Sequence, residues 1–271
     1  MEAYTRRGGA ARVNAYFILT DLEGAAGIDS FTQTRPGDGY PERVEEAKRL
    51  LAQEVNACMA GIRSADPDCR IDVWDGHGPG GLNEADLEDG RYLRTGEPYK
   101  SLAGYDALLF VGQHAMAGTY NAPLCHTYSS KTIAYMKLNE TFIGEFGARA
   151  LIAGLQGVPT VFISGDDKAI LEAQLFVPGI EAVVVKRGQG REAAVHMDRK
   201  EACRLIREGA ASAVRRRPDI EPLTAFASPY CLEIGYLQPL EADAIGSDPD
   251  VEYVNDRTVR MHRTDLLQLP L

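Results

Sequence analysis

Short β-rich runs alternate with helical stretches along most of this chain, and that alternation constrains the fold more than any other feature. The runs are "AYFILT" (15–20), "RIDVW" (70–74), "ALLFVG" (107–112), "TVFIS" (160–164) and "EAVVV" (181–185). Their order predicts βαβ units and an α/β fold: a mostly parallel sheet flanked by helices. Between the first two runs, residues 41–64 read as a helix with proline at its first position. Val44, Ala47, Leu51, Val55, Cys58 and Ile62 form one apolar stripe there, and Glu45, Lys48 and Arg49 fall outside it. Asn139-Glu140 reads as a tight connection between two strands. A second helix starts near Gly144, repeats Ala148, Leu151, Ile152 and Leu155 at helical spacing, and stops at "GVP" (157–159). "GDDKAILEAQLF" and residues 198–216 read as two further helices. From Pro218 onward, strand-like pieces such as "YCLEIGYL", "VEYVN" and "TVRMH" predict a smaller α+β extension. The expected organisation is a mobile N-terminal arm over 1–13, a core over 14–217, and a C-terminal extension of the same domain over 218–271.

The chain has 271 residues, enough to bury a sizeable core, and a formal charge of −10. That charge disfavours a nucleic-acid groove or an anionic membrane surface as the main partner and suits metal cations or cationic substrates. No segment approaches the roughly 18 apolar residues of a membrane span, and the first residues lack a signal-peptide apolar region, so a cytoplasmic protein is expected. The five cysteines, Cys58, Cys69, Cys125, Cys203 and Cys231, form an odd, scattered set with no Cys-x-x-Cys pair. Most read as buried apolar residues, while Cys125 directly precedes His126.

Three of the runs end in side chains that can ligate a metal: Asp21 and Glu23 after the first, His77 after the second, His114 after the third. Sites in open α/β sheets form at the carboxyl ends of strands, so these groups can converge although far apart in sequence. A divalent cation offsets the repulsion and desolvation that clustered carboxylates suffer, and mixed His and carboxylate donors suit zinc better than magnesium. Each residue also has a plainer explanation. Asp21 can cap a turn, His77 can sit in a loop, His114 can be a satisfied core histidine, and Glu145 suits the first turn of a helix. The repeated strand-end placement favours a site. Asp166 and Asp167 fit helix capping and stand as supporting candidates. Lys186 reads as an exposed strand-end lysine before a substrate contact, and His196 and His262 read as surface residues. No phosphate-binding loop, Gly-x-Ser-x-Gly elbow or His-Glu-x-x-His helix is present.

Taken in order, "DLEG" (21–24), "DGH" (75–77), "GQHA" (112–115), "CHTYS" (125–129) and "GEFG" (144–147) resemble the zinc-dependent D-aminopeptidases of peptidase family M55. The similarity is strongest from about Tyr16 to Val185 and thins beyond. The resemblance implies a single α/β subunit with two Zn2+ ions. Asp21 would bridge them, with Glu23 and His114 completing one site and His77 and Glu145 the other. It also implies His126 as the catalytic histidine, a short peptide as substrate, and a homo-oligomer, a decamer of two stacked five-membered rings. Two departures stand out: Leu19 replaces the family's usual serine two residues before the first Asp, and the segment between His114 and His126 is one residue longer.

The reaction implied is metal-assisted hydrolysis at the first peptide bond of a short substrate such as D-Ala-D-Ala. His126 would act as nucleophile or, as we prefer, as general acid/base, since acidified water already supplies a nucleophile. A binuclear-metal hydrolase of another amide or a phosphoester, and a non-catalytic dipeptide-binding protein, remain the alternative readings.

Overall fold

The computed structural model describes residues 12–240 and 248–271. Of the arm expected over 1–13, only Arg12 and Val13 fall among the described residues. In chain order the strands and helices are β1 (Ala15–Thr20), α1 (Pro41–Ala65), β2 (Arg70–Asp75), β3 (Arg91–Leu93), β4 (Ala107–Gln113), β5 (Ile133–Leu138) and β6 (Thr141–Phe142). Then come α2 (Glu145–Leu155), β7 (Thr160–Asp166), α3 (Asp167–Phe176), β8 (Glu181–Gly190), β9 (Ala193–His196) and α4 (Arg199–Arg216), followed by β10 (Tyr230–Tyr236), β11 (Val251–Asn255) and β12 (Thr258–Arg263).

Seven strands form the main sheet in the order β3-β2-β1-β4-β7-β8-β9, all parallel except the last pair. β1, β4 and β7 are buried along their whole length, as expected of central strands covered on both faces. The chain leaves β1 toward β2 and later crosses back to β4, so right-handed connections send α1 to one face and α2 and α3 to the other. α1 packs mainly on α4, with Val44, Ala47, Leu51, Val55, Cys58 and Ile62 all buried. The α/β class with a mostly parallel sheet therefore holds.

A second sheet, β11-β12-β10-β5-β6, is wholly antiparallel. It joins the C-terminal strands to a hairpin from mid-chain. That hairpin turns at Asn139 and Glu140, whose φ values of 45° and 67° supply the left-handed pair a two-residue turn needs. Two short edge strands, β3 and β9, go beyond the sequence reading, and β8 runs on to Gly190 because β9 folds back on it. Only Cys58 and Cys69 are buried; Cys125, Cys203 and Cys231 are half-buried, fewer buried thiols than expected.

Candidate metal centre

β1 lies between β2 and β4, and the order in which strands are added reverses about it, so the carboxyl ends of these three parallel strands frame the crevice of a topological switch point. The segment leaving β1 stays in contact with β4. Asp21 N–H donates to the Val111 carbonyl (3.0 Å) and Gly24 N–H to that of Gly112 (2.8 Å). The approach tolerates only glycine on both sides: a Cβ on Gly24 would stand 2.1 Å from the Gln113 carbonyl oxygen, and one on Gly112, at φ +79°, 2.1 Å from that of Asp21. With Leu22 buried in the core, Asp21 and Glu23 turn to the other side, into the crevice.

There they meet the histidines of the neighbouring strands. His77 Nδ1 lies 3.4 Å from Asp21 Oδ1 and 3.0 Å from Glu23 Oε2. His114 Nε2 lies 3.1 Å from Asp21 Oδ2 and 3.5 Å from Glu145 Oε1, which starts α2. Asp21, Glu23 and His114 present one ligand atom each within 4.8 Å of one another, as do His114, His126 and Glu145. The second nitrogen of each inner histidine is committed, His77 Nε2 to the Thr34 carbonyl (2.9 Å) and His114 Nδ1 to that of Ala115 (2.9 Å). Such a bond fixes the tautomer that turns the other nitrogen toward a metal. His126 stacks on His114 with ring centroids 3.9 Å apart, accepts no carboxylate contact closer than 3.8 Å, and bonds through Nδ1 to the Leu124 carbonyl (2.8 Å). Leu124 and Tyr128, on either side, adopt φ of 54° and 58°, a backbone strain that non-glycine residues hold mainly at functional sites.

Five buried donors, three of them carboxylates, share this crevice. Burial alone would raise the Asp21 carboxyl, yet His114 and His77 more than offset it and hold it well below the usual range. The same carboxylates keep His77 and His114 well above the ordinary imidazole value against the opposing effect of burial. Glu145, also opposed by burial, is lowered to about 2 by the neighbouring His114 and by the Arg149 guanidinium. Even so, Glu23 Oε2 and His114 Nε2 remain buried with no hydrogen-bond partner. Unpartnered atoms on two residues whose ligand atoms lie within 4.8 Å of each other fit a cation: two atoms bound to one tetrahedral zinc stand roughly 3.3 Å apart, close to the His–carboxylate separations found here.

A family model described as D-aminopeptidase, Peptidase M55, matches residues 15–270. The chain belongs to peptidase family M55. The match runs through the C-terminal third, further than the motifs alone suggested. A D-aminopeptidase of Bacillus subtilis (strain 168) is 27% identical over 267 residues, covering 93% of this chain and 92% of the relative. A solved structure described as the Zn-dependent D-aminopeptidase DppA from Bacillus subtilis, a self-compartmentalizing protease, superposes with a TM-score of 0.83 at 25% identity, covering 94% of this chain and 93% of that one.

In this M55 chain the centre rests on further residues, of which the sequence had offered Asp166 as a support. Lys186, expected at the surface, is buried and donates to the carbonyls of Glu23, Ala25 (3.2 Å) and Ile28, clamping the loop that carries Glu23. Burial pushes its ammonium down to about 8. Asp166 caps α3 through the N–H groups of Lys168 and Ala169, and its other oxygen accepts the Ala115 N–H (2.8 Å) beside His114. Asp167 accepts the Gly188 N–H (2.9 Å) and stays away from the crevice. Arg149 donates to Glu145 Oε2 (3.0 Å) and the Tyr128 N–H to Glu145 Oε1 (2.8 Å). The four-residue spacing from Glu145 to Arg149 was the available signal. His196 is half-buried, accepting the Gly27 N–H (3.0 Å) and facing Asp29, while His262 is exposed as expected. Cys125 bonds weakly to the Thr119 carbonyl and makes no contact with the five donors.

A cavity of about 470 Å³ opens over the centre, within the size range of small-molecule sites. Asp21, Glu23, His77, Glu145 and His126 line it, together with Arg35, Asp38, Ser130 and Lys131.

Proposed function

We propose that this protein is a zinc aminopeptidase that releases the N-terminal residue of short peptides, with D-amino-acid peptides such as D-Ala-D-Ala as substrates. The observation that carries this reading is the convergence of Asp21, Glu23, His77, His114 and Glu145 around orphaned donor atoms, beside a histidine that is free to act. Family membership supports peptide hydrolysis, and the D-aminopeptidase relatives support the D class. These five residues would hold two zinc ions with Asp21 shared, in keeping with the Zn-dependence given for DppA. When bound, zinc supplies Lewis-acid polarisation of the scissile carbonyl and acidifies water.

The chain's own residues do the rest. Asp21, Glu23 and Glu145 face the cavity, where their negative charge would hold the metal ions. His126, with Nδ1 turned to the Leu124 carbonyl, presents Nε2 as the group that takes a proton from the attacking water and returns it to the departing amine. Its stacking on His114 fixes the ring plane.

Assembly into two stacked five-membered rings is part of the same reading. The self-compartmentalizing description of DppA supports it, as do exposed Leu171 and Leu175, one turn apart on α3. A cytoplasmic setting is in keeping with five free thiols. His126→Ala tests the assignment: zinc content by elemental analysis is expected to stay intact while turnover falls about a hundredfold or more. Unchanged turnover would remove His126 from the mechanism.

A further inference from the structure

The cavity is lined by cations as well as by the donors of the metal centre. Arg35 and Lys131 both face the cavity, in a chain whose formal charge is −10. Arg35 is held in place from two sides: its guanidinium lies 3.7 Å from the Phe31 ring centroid and donates to Ser130 Oγ (2.8 Å). Asp38, which also lines the cavity, stands 4.0 Å from its Nη1, a loose ion pair too long for a hydrogen bond, so the guanidinium has donors beyond those the structure pairs. Lys131 is exposed and has no ion-pair partner among the described residues. Arg149, the remaining cation of the cavity, is already spent on Glu145 and enclosed by the rings of Trp74, Tyr99 and Tyr128.

On the peptidase reading, on which this rests, we infer that Arg35, seconded by Lys131, anchors the free C-terminal carboxylate of the substrate and so selects short peptides over amides and blocked chains. With the scissile bond beside His126, the terminal carboxylate belongs with a guanidinium whose flat donor array fits it. One extended residue spans about 3.5 Å, so the carboxylate of a di- or tripeptide stays within the cavity that Arg35 lines while that of a long chain lies outside. Because Ser130 follows His126 by four residues on one loop, the anchor and the proton-transferring group are set by the same strained segment. Pre-orientation of the guanidinium by Phe31 and Ser130 reduces the ordering cost of binding.

The test compares D-Ala-D-Ala with its C-terminal amide on the zinc-loaded full-length protein, reading kcat and KM for each. The unaltered protein is expected to favour the acid by about 10- to 100-fold in kcat/KM, mostly through KM, the range of a charge-assisted hydrogen bond. In Arg35→Gln the acid-to-amide ratio falls toward one, Arg35→Lys retains part of it, and Lys131→Met, at an exposed position that does not threaten folding, lowers it severalfold. A ratio near one in the unaltered protein, or a ratio unmoved by Arg35→Gln, overturns the anchor. If neither peptide is cleaved, the peptidase reading fails by itself. The anchor is then read by calorimetry with the reduced-bond analogue of D-Ala-D-Ala and its amide, where equal affinities overturn it and tighter binding of the acid, lost in Arg35→Gln, supports it. Arg35-dependent hydrolysis of p-nitrophenyl phosphate exceeding that of either peptide would assign Arg35 to a phosphate instead and also overturn the anchor.

Discussion

Replacing Lys186 with methionine removes a buried cation from beneath the metal-binding loop at nearly constant volume. The ammonium donates to three backbone carbonyls, those of Glu23, Ala25 and Ile28, and lies near Glu54 and Asp166. A hydrogen bond from a charged donor contributes about 1.5–3 kcal/mol, and loss of one partner from a buried charged network costs about 3–5 kcal/mol after the relief of its own desolvation. Three acceptors in one loop point to the full range, a fall of roughly 10 °C in the thermal midpoint of the metal-free protein. Because the loop carries Glu23, zinc affinity should drop about 10- to 100-fold, the effect typical of losing an outer support of a ligand. Calorimetric unfolding and zinc competition against a chelator measure the two effects separately. A Lys186→Met protein that melts with the parent and holds zinc as tightly would refute the clamp.

Asp21→Ala should lose bound metal and activity together, and retention of two ions by elemental analysis would contradict a shared ligand. Glu54 provides a pH test. Burial lifts its carboxyl from the ordinary 4.5 to about 7, only partly offset by the Ala26 N–H and Lys186. Its folded-state value lies above the unfolded one, so its favourable contribution is complete below about pH 4.5 and is lost as pH rises through about 7. Glu54→Gln should therefore match the parent in acid and gain on it by roughly 3 kcal/mol at pH 8, measured by denaturant unfolding at both pH values.

The ligand framework was legible because strand ends and sheet topology converge by rule: Asp21, Glu23, His77 and His114 close the runs that became β1, β2 and β4. Lys186 was misread because a lysine after "VVV" looks solvated until the loop it serves, about 160 positions earlier in sequence, is seen folded over it. Glu54 was not singled out, although it falls beside Leu51, Val55 and Cys58 on the buried stripe. Arg35 could not be read: its role depends on Phe31 and Ser130 meeting across two loops, a pairing no local periodicity encodes. The second sheet was hidden for a similar reason, because β10 pairs with β5 across a long sequence separation and short edge strands carry little pattern.

The most direct measurement is the hydrolysis of D-Ala-D-Ala and L-Ala-L-Ala side by side by the zinc-loaded protein, detecting free alanine. Release from the D peptide alone is the predicted result. Release from the L peptide alone would contradict the D class while leaving a metallopeptidase, and release from neither would contradict peptide hydrolysis at this centre.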